Sequence, residues 1–97
     1  MLISKLCHEA HETAKKKGWY DQPIETATQL ALIHSEVSEA LEADRKGTEE
    51  EFAEELADIC IRVFDTAGSK GIDLQHHILR KMELNKHRPY KHGGKKY

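Results

Sequence analysis

Apolar residues recur at helical intervals along most of the chain and nowhere alternate as a strand would. The first run is Leu2, Leu6, Ala10 and Ala14, with Ile3 and Cys7 beside them, and it predicts a helix from Leu2 to about Lys17. Gly18 ends it, and "GWYDQP" forms a connection. Pro23 suits a helix start, and the second run is Leu30, Ile33, Val37, Ala40 and Leu41. "RKG" closes that helix, with two cations near its C-terminus and Gly47 in the left-handed position that follows one. Thr48 and Glu51 then make a capping box. The third run carries Phe52, Leu56, Ile59, Cys60, Val63, Phe64 and Ala67 as far as "GSKG". Asp73 caps a fourth helix to about His87, and Pro89 prevents much continuation. The expected fold is all-α: a four-helix, bundle-like single domain over residues 1–90, with residues 91–97 as a basic tail.

A chain of 97 residues makes one domain with a thin core. Association with copies of itself is the natural remedy. Charged residues make up 33% and the net charge is only −2, which argues against a general nucleic-acid binder. The charge is uneven, however. Residues 36–58 are strongly acidic, whereas Lys81 to Tyr97 hold six Lys or Arg against one Glu. Cys7 and Cys60 fall on apolar helical positions and read as small buried hydrophobes rather than a disulfide framework. Neither a signal sequence nor a membrane-length apolar run is present, so a cytoplasmic location without a membrane partner is expected.

The acidic segment is where chemistry enters. The connection at Gly47 is so short that the second and third helices must run antiparallel. Glu39 lies eight residues before that glycine and Glu55 eight after; Glu36 and Asp58 lie eleven before and eleven after. At ~1.5 Å per residue the four carboxylates face one another as two pairs, roughly 12 and 16 Å from the turn. On a helical wheel Glu36 and Glu55 sit roughly 90° from the apolar stripe, and Glu39 and Asp58 about 150°. Acid pairs at i, i+3 arise freely in charge-rich helices, and the chain has five. Two at matching height across one hairpin carry more weight. A solvated acidic face would need cations. Glu36 and Glu39 have alanines at i+4, and Arg62, placed to pair with Asp58, cannot neutralise all four. Crowded carboxylates must protonate, splay or bind a cation. An all-oxygen donor set selects Mg²⁺, with Mn²⁺ as substitute, over zinc.

The "EVSE…EELAD" arrangement, two acids three apart, fifteen intervening residues, then Glu and Asp three apart, resembles the MazG-like branch of the all-α nucleoside triphosphate pyrophosphohydrolases. These are relatives of the dimeric dUTPases and of phosphoribosyl-ATP pyrophosphohydrolase. "AKKKGWYD" and "KMELNKHRPYKHGGKKY" are similar to MazG-like sequences as well, so the likeness covers nearly the whole chain. The resemblance implies Mg²⁺-dependent hydrolysis of a (d)NTP to its monophosphate and pyrophosphate, often as nucleotide-pool house-cleaning. It also implies a homo-oligomer, dimer or tetramer, whose neighbouring chains complete the site. Glu36, Glu39, Glu55 and Asp58 would then hold metal, with Glu39 chosen as base.

Other residues carry two readings each. Lys81, Asn85 and Arg88 share one side of the fourth helix and are either a basic helix end or phosphate ligands; the resemblance favours phosphate for Lys81 and Arg88. Trp19 is either a core plug or a stacking wall for a nucleobase, with His11 as a polar contact. His8 and His11 lack a third ligand for zinc. The competing function is a non-catalytic helical interaction module that uses the basic tail. No stable nucleic-acid partner is expected.

Overall fold

The computed structural model describes residues 1–89. Within them lie four helices: α1 (Leu2–Lys16), α2 (Thr26–Lys46), α3 (Glu49–Lys70) and α4 (Leu74–Lys86). No strand occurs among the described residues. The tail expected at 91–97 lies outside them.

The helix ends follow from local chemistry. At α3 the Thr48 hydroxyl accepts the Glu51 N–H at 3.1 Å, and Glu49, Glu50 and Glu51 place negative charge on the first turn. Gly71 ends the helix in the left-handed region, at φ 64° and ψ 29°, and Ile72 N–H returns to the Ala67 carbonyl at 3.0 Å. Asp73 caps α4 by accepting the His76 N–H at 3.1 Å.

Two expected ends are corrected. The start of α2 is Thr26 rather than Pro23; Glu25 is its extended N-cap, at φ −71° and ψ 146°. Pro23 belongs to the lead-in, where the residue before a proline is itself pushed out of the helical region. Gly47 is not left-handed: its φ is −101° and its ψ −167°. Glycine is required there by space, because a Cβ would lie 2.9 Å from both the Ala43 carbonyl oxygen and a Glu51 carboxylate oxygen.

The spine is α3, with α2 packed on one part of it and α1 on another, while α4 turns back onto α1. The α1–α3 crossing is close at Gly68, where a Cβ would meet the Cys7 carbonyl at 2.7 Å and His11 Cβ at 2.8 Å. A polar network ties the α1–α2 connection to this crossing. Asp65 receives His11 Nδ1 at 3.0 Å on one oxygen and the Tyr20 hydroxyl at 2.8 Å on the other. Gln29, almost fully buried on α2, donates its amide to Tyr20 at 3.2 Å and to Ser69 at 3.0 Å. Burial, with the hydrogen bond to Asp65 next, pushes the Tyr20 pKa up, so the hydroxyl stays a donor.

The core is thinner than the apolar pattern suggests. Among the described residues only Cys7, Ala40 and Ala67 are buried hydrophobics. Leu30, Val37, Leu41 and Leu56, expected inside, are 47–59% exposed, because α3 is the only principal neighbour of α2. Cys60 is likewise exposed, not buried as expected. None of the described helices is long and apolar enough to cross a membrane.

The Gly68 contact generates a stability prediction. Gly68→Ala forces α1 and α3 apart against a backbone carbonyl and should cost about 1–3 kcal/mol as overpacking, despite alanine's better helix propensity. Urea denaturation should show a lower midpoint with an unchanged slope.

Candidate functional site

The hairpin brings Glu36, Glu39 and Glu55 together, one oxygen from each lying within 4.8 Å of the others. Glu36 and Glu39 are one turn apart on α2, and Glu55 comes from α3 at the matching height. Asp58 is outside that closest group. It lies one turn farther along α3, where it lines a cavity with Glu36.

The group shows how the repulsion is relieved. The Glu55 pKa is raised, first by desolvation and then by the charges of Glu39, Asp58 and Glu36; a hydrogen bond to Glu39 adds to the effect. Glu55 Oε2 is closed off from solvent and has no hydrogen-bond partner among the described residues. Glu36 takes a cation from the protein itself: Arg62 Nε donates to its Oε1 at 3.1 Å. Arg62 therefore pairs with Glu36, not with Asp58 as its i+4 spacing suggests. Helical side chains lean toward the N-terminus, and on α3 that direction is toward the hairpin. Arg62, roughly 22 Å from the turn by residue count, thus reaches back to Glu36 at roughly 16 Å.

Among the described residues Glu39 and Glu55 have no ion-pair partner, and an orphaned carboxylate oxygen in a group of three fits a cation. The donors are all hard oxygens, which suits a divalent metal of the Mg²⁺ or Mn²⁺ kind. The acidic group can therefore bind a metal.

Two cavities flank the acids. The larger, about 480 Å³, is lined by residues of α1 and α3 together with Trp19 and Glu36; the charged Glu36, Asp58 and Arg62 share it with the apolar Leu6, Trp19 and Phe64. Its size and mixed lining fall in the range of small-molecule sites. The smaller, about 320 Å³, lies at the hairpin end and is lined by Glu39, Glu55 and Lys46 among others. Trp19 is half exposed on the larger cavity, and Arg62 Cζ lies 4.9 Å from its ring centroid. The ring is a cavity wall rather than a core plug.

The remaining candidates separate. His11 is held by Asp65 and stands edge-on to Tyr20, its ring centroid 4.7 Å away, as part of the scaffold beneath the cavity. Lys81 and Asn85 on α4, and Arg88 beyond it, are exposed and line neither cavity. Within one chain they are not brought to the acids. The reading from sequence missed the Asp65–Tyr20–Gln29 network. Its only linear trace is polar residues at otherwise helix-buried or loop positions.

Residues 4–84 match the family described as phosphoribosyl-ATP pyrophosphohydrolase. The chain belongs to that family. It lies within the all-α NTP pyrophosphatase superfamily, and its reaction is the hydrolysis of a phosphoric anhydride, so this protein is a pyrophosphohydrolase. No curated protein and no solved structure matches the chain.

The raised pKa of Glu55 has a consequence for metal-free protein. With the folded-state pKa above the ordinary value of 4.5, its favourable contribution is complete below that value. It is lost as pH rises through the raised one. In EDTA, Glu55→Gln should therefore melt above wild type at neutral pH. The difference should shrink as pH falls toward the ordinary glutamate range, as thermal unfolding at several pH values would show.

Proposed function

We propose that the protein is a Mg²⁺-dependent nucleotide pyrophosphohydrolase of the MazG-like kind, converting a (d)NTP to its monophosphate and pyrophosphate in nucleotide-pool house-cleaning. The observation that carries this reading is the group of three carboxylates with its orphaned Glu55 oxygen, one member of which, Glu36, also lines a cavity of about 480 Å³. Phosphoribosyl-ATP, named by the matching family, carries a phosphoric anhydride as well and belongs in the same substrate panel.

Glu36, Glu39, Glu55 and Asp58 would hold the metal. When bound, Mg²⁺ neutralises negative charge on the phosphate oxygens and lowers the pKa of a coordinated water. Glu39 is the exposed acid of the close group and makes no ion pair among the described residues, which suits it to accept the water's proton. Trp19 offers the base a flat wall, and Arg62 beside it offers an anion a guanidinium. Lys81, Asn85 and Arg88 would act on phosphates only from a neighbouring copy or after α4 moves.

The open apolar stripe of α2 and α3 supports a homo-oligomer. Leu30, Val37, Leu41 and Leu56 are too many large side chains to leave wet in so thin a domain. A second hairpin laid against the first would bury them and create a four-helix centre. The protein would work in the cytoplasm.

Pyrophosphate release from canonical and modified (d)NTPs and from phosphoribosyl-ATP, with Mg²⁺ and with EDTA, tests the activity. Release should require Mg²⁺, and Glu39→Gln or Asp58→Asn should lower kcat by about 10²-fold or more while the fold survives. Mg²⁺-dependent stabilisation should reach about 2.7 kcal/mol at a hundred times its Kd. Release that persists in EDTA would refute the metal reading. Activity undiminished in both variants would refute the assignment of the acids. For the assembly, Val37→Asp with Leu41→Asp should yield monomers by sedimentation. An unchanged oligomer would place the interface elsewhere.

A further inference from the structure

Arg62 is in contact with both halves of the site. Its Nε donates to Glu36 Oε1 at 3.1 Å, and its Cζ lies 4.9 Å from the centroid of Trp19. The side chains of Arg62 and Glu36 are 28% and 13% exposed, so water screens the pair only in part. Glu36 is thus claimed twice: by Arg62 at one oxygen and by the acidic group that it shares with Glu39 and Glu55.

These two claims compete. Without metal, the guanidinium is the cation that serves the group. A divalent ion placed there puts like charge beside Arg62 and draws on the same carboxylate. The Glu36 bond weakens, and the guanidinium is left to its other contact, the ring of Trp19, and to the open cavity. A guanidinium within about 6 Å of an indole face is attracted to it, which gives the displaced group somewhere to go. The other end of the cavity wall is fixed. Tyr20, next to Trp19, is tied to Asp65, and Asp65 has both oxygens engaged. Arg62 is the movable piece between an anchored aromatic wall and the acids.

We propose that Arg62 is a positioning residue that couples metal occupancy at Glu36 to the Trp19 wall of the cavity. The coupling rests on the metal reading of the acidic group given above. Linkage makes it reciprocal: a ligand that draws Arg62 into the cavity frees Glu36 and tightens metal binding by the factor with which metal tightens that ligand.

Trp19 is the only tryptophan, so tryptophan emission comes from this ring alone, and the Arg62 variants isolate the part that this contact contributes. Metal-free protein is titrated with Mg²⁺ and followed by tryptophan emission and, in parallel, by thermal unfolding. Wild type should show a saturable emission change with the same midpoint as its thermal stabilisation. Arg62→Met removes the competing cation. It should bind Mg²⁺ about five-fold or more tightly than wild type, with the emission response lost. Arg62→Lys keeps a cation for Glu36 but not the planar stack, so it should keep the wild-type midpoint while losing the emission response. A merely structural arginine would instead give weaker Mg²⁺ binding on replacement. That result, or an emission response of full amplitude in Arg62→Met, overturns the coupling. Thermal stabilisation of wild type without any emission change overturns the coupling alone. Neither thermal nor emission change in wild type overturns the metal reading and the coupling with it.

Discussion

Like charge held at short range is the constraint around which this small protein is organised. Glu36, Glu39 and Glu55 meet because the turn at Gly47 leaves α2 and α3 no freedom of register. The hairpin fixes the backbone positions from which they project, so the repulsion is met by side-chain protonation, pairing or displacement and not by a change of register. Its effects appear in neighbouring groups: a raised Glu55 pKa, an arginine drawn from two turns along α3, and an oxygen with nothing to accept. An electrostatic conflict built into a rigid element is a form of preorganisation, since a cation arriving there meets ligands already assembled.

Much of this was legible in the sequence because it depends on counting. The capping box at Thr48, the glycine before it and the symmetric positions of the acids about Gly47 are all one-dimensional facts. The helix rise turns them into three-dimensional ones. Glu39 and Glu55 meet for that reason. Arg62 was not legible in the same way. Its target depends on the lean of helical side chains and on the length of its own, neither of which the i+4 rule includes. The role of Gly47 was misread for a related reason: a glycine can be required by its neighbours as well as by its φ angle, and only coordinates show the Ala43 carbonyl beside it.

The apolar pattern identified the helices but overstated what one chain buries. Leu30, Val37, Leu41 and Leu56 follow the same periodicity as Ile33 and Ala40, and nothing in the periodicity says which neighbour will cover which residue. Two different demands meet on α2, since one face gathers the acids and another leaves leucine and valine open. The Tyr20–Asp65–Gln29 network does the opposite work. It spends polar side chains to join α1, its following connection, α2 and α3, where a thin core supplies few contacts.

One hydrogen-bonded cap joins the first described helix to the last. The first turn of α1 has no side-chain cap of its own; instead Gln75 Oε1, from α4, accepts the Ile3 and Ser4 N–H groups at 3.0 and 3.3 Å. The residues joined are 72 and 71 apart in sequence. The opening turn of α1 thus depends on a side chain far along the chain, and a contact of that separation carries a loop-closure cost that a local cap would not. An α4 with no buried residue of its own is therefore more than an appendage: its return to α1 is what spares two backbone donors from going unmet.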